Sequence, residues 1–596
     1  MPIQSTNPPE LHTFENWTLG LNQQAGRGVI ADDEQWWNEN LFAIGPGNLR
    51  SCWGLRRQTD GVTPMPIYTA PTGVKILRIF FGFIGDTTPQ NAAPSIDPVN
   101  PLPGAYGWMF LSDGTIDQVD LGTLTVVHVG GAGHVVWNPI APQYWASAKV
   151  WRPRFFGGVP GQGGGVLFGS PEPAGGPGTG PGGLYAWDGA TLSSPGDPAP
   201  DWLTDALESG APGPFTMPTG LPGIYTMEVY QSRLFVAGKD VISFSAPSNG
   251  ADFSTTDGGG SFGYFGDRLT YSFMDLAQTA GYMYVFGDSS IDMISQVQVI
   301  GTGTPESPVT TNLNYQNIDP QVGHRFPRPV GRIGRYFQMF NGAGIFEVRG
   351  AETREISQKT TNIYNTLVIP KTAADATTGG LYYPTMAEAT MFGFRVLLCN
   401  GRFTDIFGLT RSLLLMWHPS QGNEFWSIAT QGLELTNIGC YEQDSVITPY
   451  GTDGNSLYQL FAAPDNNILK ILSTKSLRGQ GLSQLTVKNW KRVFMEFSDN
   501  SVSDANPTIG TGVNFVGGIT TEGGGIPNGT QDVSFNLAPG PILGTGVNAT
   551  PTPTFIEPVA LQCSGIAAAI NIQSISKDFT IQKIHLTSEE RALWGA

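Results

Sequence analysis

The run Arg233-Leu234-Phe235-Val236-Ala237-Gly238, followed by Val241-Ile242-Ser243-Phe244-Ser245, carries the reading of the fold. Each half is a short apolar segment of aromatic and β-branched residues, and Gly238-Lys239-Asp240 punctuates them. Such side chains suit a pleated, half-buried surface, whereas Gly and Asp suit the turn between two strands. Met227-Glu228-Val229-Tyr230, turning through Gln231-Ser232, supplies a strand just before. The unit is therefore a meander.

Working outward, the unit recurs. Gly281 to Gly287 turns into Ser290 to Ile294, and Gly334 to Phe340 turns through Asn341-Gly342 into Gly344 to Val348. Phe394 to Cys399 reaches Asn400-Gly401. Upstream, Gly107 to Leu111, Ile116 to Val119, Leu124 to Val129, Gly165 to Gly169 and Gly183 to Gly189 read the same way; Asn423 to Trp426 and Leu457 to Phe461 follow downstream. The spacing of roughly 45 to 60 residues exceeds a compact blade repeat and fits blades carrying inserted loops. The expected fold is all-β: an irregular β-propeller with inserted loops, plus an additional β-domain formed by terminal segments. A pair of β-sandwiches is the alternative. An Asn-Gly pair favours a type I′ turn, so Asn341-Gly342 and Asn400-Gly401 are expected at hairpin tips, as channel or tip loops.

Composition agrees. The chain has 596 residues with 78 Gly and 45 Pro, which disfavour long helices. A single core seldom grows beyond about 300 residues, so more than one domain is expected. The net charge of −17 opposes a protein that wraps nucleic acid, which needs lysines and arginines to neutralise phosphates. It is compatible with a wall past which DNA slides. No basic-then-apolar leader opens the chain and no apolar run approaches the ~20 residues of a spanning helix, so production as a cytosolic protein is expected.

Three regions are expected. Residues 1–64 read as an N-terminal arm and oligomer-contact segment, with Trp17, Trp36, Trp37 and Asn40 as contact residues; a short helix over 31–38 is compatible. The tryptophans have a second destination of equal weight, the domain's own core. Residues 65–480 hold the propeller. Residues 481–596 form a C-terminal β-domain with a Gly/Asn/Pro-rich loop at 500–555.

Constellations that would carry catalysis are missing. Cys52, Cys399, Cys440 and Cys563 are far apart with no CxxC pair, and His128 and His134 have no neighbouring acidic or cysteine ligand, so neither a metal nor a cofactor is expected. Gly161, Gly163, Gly164 and Gly165 lack the Lys-Ser/Thr of a phosphate loop, and Ser170 lies outside a G-x-S-x-G elbow. Thr255, Asp257, Gly259 and Ser261 resemble the Asp-box turn of sialidases and related propellers, with Phe262 where tryptophan is usual. There it is a structural hairpin device, so Asp257 and Gly259 are expected to build a turn. Arg152, Arg154 and Tyr336 are residue types that a sialidase uses, but nothing in the sequence gathers them. No enzymatic activity is expected.

The strand-turn-strand units, with Asn249-Gly250-Ala251-Asp252-Phe253 after them and Tyr284 to Asp292 beyond, resemble the tail nozzle (tail tubular protein B) and packaged-DNA-stabilising proteins of podoviruses. The opening Gly20 to Gln24, Asn38-Glu39-Asn40 and Gly54 to Arg57 is similar to their N-terminal arm. The specific likeness covers about residues 15–60 and 220–350. It implies a virion tail protein made in the host cytoplasm: a homohexameric ring below the portal and head–tail adaptor proteins, beside tail fibre proteins, through which genomic DNA passes without sequence-specific binding. A phage adhesin recognising host-surface glycans is the alternative, and a sialidase-like glycosidase a third.

Overall fold

The computed structural model describes residues 9–590 except 46, 85–104, 140–146, 152–164, 171–182, 195, 201–202, 204–220, 222, 239–240, 264–274, 280, 288–289, 302–306, 308–309, 320, 324–329, 342, 369–382, 420–424, 479–485, 501–512, 514, 523–529, 538–553 and 556–558. The described chain is almost wholly β, forming an irregular propeller with extra sheets built largely from the terminal strands.

Six separate four-stranded sheets are the blades. Blade one runs Ile76–Phe83, Ala105–Leu111, Ile116–Asp120, Val126–His128; blade two Ser147–Trp151, Gly165–Ser170, Gly183–Trp187, Leu192–Ser193. Blade three is Thr226–Tyr230, Arg233–Ala237, Val241–Phe244, Gly260–Gly263, and blade four Asp275–Thr279, Tyr282–Phe286, Ile291–Ile300, Thr310–Asp319. Blade five is Val330–Ile333, Tyr336–Phe340, Ile345–Arg349, Glu352–Glu355. Blade six, Asn437–Gln443, Val446–Thr452 and Ser456–Gln459, takes its outer strand Tyr68–Thr69 from the chain's start, so the ring is closed by residues nearly 400 positions apart. A further antiparallel unit, Thr385–Met391, Phe394–Thr404, Thr410–His418 and Phe425–Ala429, stands between blades five and six. Its outer edge continues into an eleven-stranded sheet.

Neighbouring blades are held by apolar layers between their faces. Leu167 and Leu184 meet Met227 and Leu234 between blades two and three, Phe235 and Phe244 meet Met283 and Val285 between three and four, and Tyr284 and Phe286 meet Phe337 and Met339 between four and five. The quoted run therefore serves both faces of one blade: Leu234 and Val236 point to one neighbour, Phe235 and Ala237 to the other, as period-two alternation requires. Tight connections recur between first and second strands. Gln231-Ser232, Phe392-Gly393 and Asp444-Ser445 all have positive φ at both central residues, the type I′ geometry that matches strand twist.

Asn400-Gly401 is not such a tip. Both lie inside the eleven-residue strand Phe394–Thr404, opposite Leu414 and Leu413. Buried Asn400 donates through Nδ2 to the Leu435 carbonyl (3.2 Å) and accepts from Ser412 Oγ (3.0 Å). Gly401 is small because a Cβ there would stand 2.7 Å from the Phe403 ring. Tertiary packing overrides the local turn preference, and the strand runs on to turn between Asp405 and Leu409. Asn341 does sit between the second and third strands of blade five, donating to the Gly323 carbonyl (2.6 Å); Gly342 lies outside the described residues.

The arm expectation is also corrected. Glu34–Glu39 is a strand, not a helix, and pairs with Lys470–Thr474 in the eleven-stranded sheet, which also takes Ala567–Ser574, Phe515–Glu522 and Thr530–Leu537. Leu41–Gly45 and Asn48–Ser51 belong instead to a seven-stranded sheet around the twelve-residue partners Lys488–Asp499 and Phe579–Glu590. Asn40 makes the switch. Its φ of 58° is one that Asn tolerates, and its buried amide bonds Thr430 Oγ1 (2.8 Å), the Leu469 carbonyl (2.7 Å) and the Thr430 N–H (2.7 Å). Trp17 and Trp37 are 2 % and 0 % exposed and Trp36 is half-buried, so these side chains fill the chain's own core. Within 500–555, Phe515 and Ile519 are buried and pair the segment into the sheet despite its glycines, so the stretch is not one loop; much of the rest lies outside the described residues.

One core residue makes the fold pH-sensitive. His418 is buried between the rings of Phe42 and Phe394 (5.2 and 4.9 Å), and burial pushes its pKa down to about 4. The unfolded chain takes up this proton near pH 6.5 while the folded chain refuses it until about pH 4, so stability present above 6.5 is lost as pH falls through that window. The expected loss is about 3 kcal/mol by pH 4, read as a urea midpoint that falls less in His418→Gln than in the wild type.

Candidate functional site

The inner strands enclose a cavity of 760 Å³ on the propeller axis, with walls that include Arg78, Phe81, Lys149, Val229, Asn437 and Glu442. The strands are clipped together by hydroxyl groups at their first residues. Thr226 Oγ1 donates to Asp275 Oδ1 (2.8 Å) and accepts the Leu276 N–H (3.3 Å), joining blades three and four. Thr385 Oγ1 accepts the Ile438 N–H (3.2 Å) in the same way, joining the unit after blade five to blade six. Small polar residues at strand starts thus satisfy amides that the blade's own ladder leaves open.

Of the charged residues on the wall, Lys149 and Glu442 are held in ion pairs. Lys149 pairs with Glu228 between the inner strands of blades two and three. Arg395 bridges two carboxylates, Glu388 (3.2 Å) and Glu442 (3.0 Å), and burial raises the Glu388 pKa against the pull of that guanidinium. The Cys440 thiol is pushed up to about 11 by burial, which keeps it protonated and a poor nucleophile. Phe81 stacks on Tyr450 at 4.7 Å beneath the wall.

Where the ring closes, the Tyr68 hydroxyl donates to Asp117 Oδ2 (2.6 Å) while Asp117 Oδ1 meets His128 Nδ1 (2.6 Å). This contact joins the closing strand to blade one. Asp117 and His128 already face each other across the local hairpin of blade one, and Tyr68 reaches them only when the ring shuts, which is why the sequence does not point to the full contact. His134 does not join His128 there, and among the described residues no group of three His, Cys, Asp or Glu side chains could hold a metal. Arg152, Arg154, Gly161, Gly163 and Gly164 lie outside the described residues. Tyr336 is exposed beside Arg349, whose guanidinium lies 4.8 Å from its ring.

The Asp-box-like turn connects the third and outer strands of blade three. Asp257 Oδ2 accepts from Ser254 Oγ (2.8 Å) and Thr256 Oγ1 (3.1 Å), bonds that lower its pKa, and the Gly259 N–H donates to the Ser254 carbonyl (2.8 Å). Buried Arg233 donates to the Gly258 and Ser245 carbonyls, fastening the turn to the blade. A Cβ on Gly259 would lie 2.6 Å from the Phe253 carbonyl carbon. Gly259→Ala is therefore expected to cost about 1–3 kcal/mol in urea unfolding, the usual range for overpacking; a loss below a few tenths would refute the steric account.

No protein-family model and no curated protein matches the chain. Among solved structures it is similar to a bifunctional GH43-CE protein of Bacteroides eggerthii (10 % identity, TM-score 0.18), where the match covers 62 % of this chain and 62 % of that one. It is also similar to the Trypanosoma rangeli sialidase in complex with sialic acid (10 % identity, TM-score 0.22), covering 90 % of this chain and 96 % of that one. The chain thus spans under two thirds of the bifunctional protein's length. Likenesses of this strength say nothing about what the chain does.

Proposed function

We propose that this chain is a structural, non-enzymatic subunit of a short-tailed bacteriophage tail nozzle, forming a homohexameric ring around the DNA-ejection channel below the portal and adaptor proteins. The observation that carries the reading is the ordered run from Arg233 to Asp292, which resembles tail nozzle proteins and spans two successive blades. Its apolar residues there pack blade against blade. The paired charges around the axial cavity and the net charge of −17 suit a body past which DNA slides without adhering. The first and last described strands, Glu10–Phe14 and Phe579–Glu590, pair with each other in one sheet, which suits a rigid ring subunit.

The test is assembly. Light scattering and negative-stain imaging of the purified chain, alone and mixed with a portal–adaptor complex, should give a six-fold ring docked on the adaptor. A chain that stays monomeric at high concentration and ignores the adaptor sinks the proposal. The Glu388–Arg395–Glu442 group with Phe81 and Tyr441 at the cavity favours a second reading, recognition of host-surface glycans. Glycan binding by the isolated chain, abolished in Glu442→Gln, would support it over the nozzle.

A further inference from the structure

The outer strand of blade four departs from every other blade. In the other five separate blades the outer strand has two to four residues, and the short free edge protects against pairing with another chain. Thr310–Asp319 has ten, hairpinned to the ten-residue Ile291–Ile300. Among the described residues no strand pairs with its outer edge.

Nor is the edge guarded by charge. From Met293 to Ile300 and from Thr310 to Ile318 neither strand carries a Lys, Arg, Asp or Glu, in a chain with 81 such residues, 32 basic and 49 acidic. The outer strand of blade five, Glu352–Glu355, reads Glu-Thr-Arg-Glu and is guarded in the usual way.

The hairpin is firmly held rather than splayed. Val297 and Leu313 pack on the blade-three cluster, the Tyr315 ring meets Phe262 at 6.0 Å, and Thr311 Oγ1 donates to the Gly258 carbonyl (2.9 Å). One face is thereby committed to blade three. The alternate residues Thr310, Asn312, Asn314 and Gln316 face solvent, and Val299 and Ile300 at the far end are 46 % and 55 % exposed.

We infer that this edge is a self-association surface, on which a strand of a second copy of the same chain adds to the blade-four sheet. The occupant follows from charge. Two copies with a net charge of −17 repel over most of their surfaces, and a long strip without ionised groups lets them approach to main-chain hydrogen-bonding distance without burying carboxylates. The inference rests on the reading of the chain as a ring subunit. In a ring the edge supplies one half of a heterologous contact, the neighbour's half lying on a different surface; pairing of the strand with itself would close a dimer instead.

The test compares the full-length wild type with Asn312→Glu/Gln316→Glu and with the neutral control Asn312→Gln/Gln316→Asn. These exposed side chains leave the packing on blade three intact, to be checked by an unchanged urea midpoint. By sedimentation velocity over a concentration series, the wild type and the neutral control should assemble, with the double-Glu chain weaker by about tenfold or more. Amide exchange over Thr310–Asn317 should slow on assembly. If the double-Glu chain assembles like the wild type, or those amides exchange equally fast in monomer and oligomer, the edge is not the contact while the ring reading survives. A wild type that never assembles removes both.

Discussion

Arg411→Ala is expected to lower the stability of the fold by about 3–5 kcal/mol, the cost of leaving buried charge without its partner. Arg411 donates through both terminal nitrogens to Glu39 (2.8 Å each) and through Nε to Asp405 (2.7 Å). Both carboxylate side chains are almost fully buried, at 2 % and 0 % exposure. Glu39 also accepts from the Trp37 indole (3.1 Å), so one guanidinium ties the N-terminal strand to the unit between blades five and six. The loss is read from urea unfolding by tryptophan fluorescence. Arg411→Lys should fall between wild type and alanine, because an ammonium cannot reproduce the bidentate contact. Adding Glu39→Gln to Arg411→Ala should restore part of the loss by removing one stranded charge. A loss under about 1 kcal/mol would show that water compensates the pair instead.

Trp37→Ala is the second large effect, expected at about 3–5 kcal/mol for deleting a fully buried indole. The side chain is 0 % exposed, packs with Leu21, Trp426 and Ile428, and meets Phe407 edge-on at 6.2 Å. This variant separates the two destinations that the sequence left open. A core residue lowers the unfolding midpoint and leaves any assembly intact under native conditions. An oligomer contact does the reverse, and dissociation with an unchanged midpoint would overturn the packing account.

Glycine-punctuated hairpins made the propeller legible because strand alternation and turn chemistry are local. Leu234 and Phe235 face opposite neighbours for no reason beyond period two, and Gln231-Ser232 turns where the apolar runs stop. The Asp-box-like turn was legible for the same reason: Ser254, Asp257 and Gly259 build it within six positions. Asn400-Gly401 misled because its turn preference, worth little by itself, is outweighed by burial of the strands on both sides. The N-terminal tryptophans gave no direction, because an aromatic side chain needs an apolar partner and the sequence does not say whether that partner is its own chain or another.

The sequence by itself determined an all-β chain of repeated hairpins, and with it the alternation that packs blade on blade. Only the tertiary structure decided how the ring shuts, with Tyr68–Thr69 completing blade six and Tyr68 reaching Asp117. It alone decided that Trp17, Trp37 and Asn40 are interior and that one blade keeps a long neutral edge. The physical reason is reach: turn and strand preferences act across a few residues, whereas closure, burial and edge exposure depend on partners hundreds of positions away.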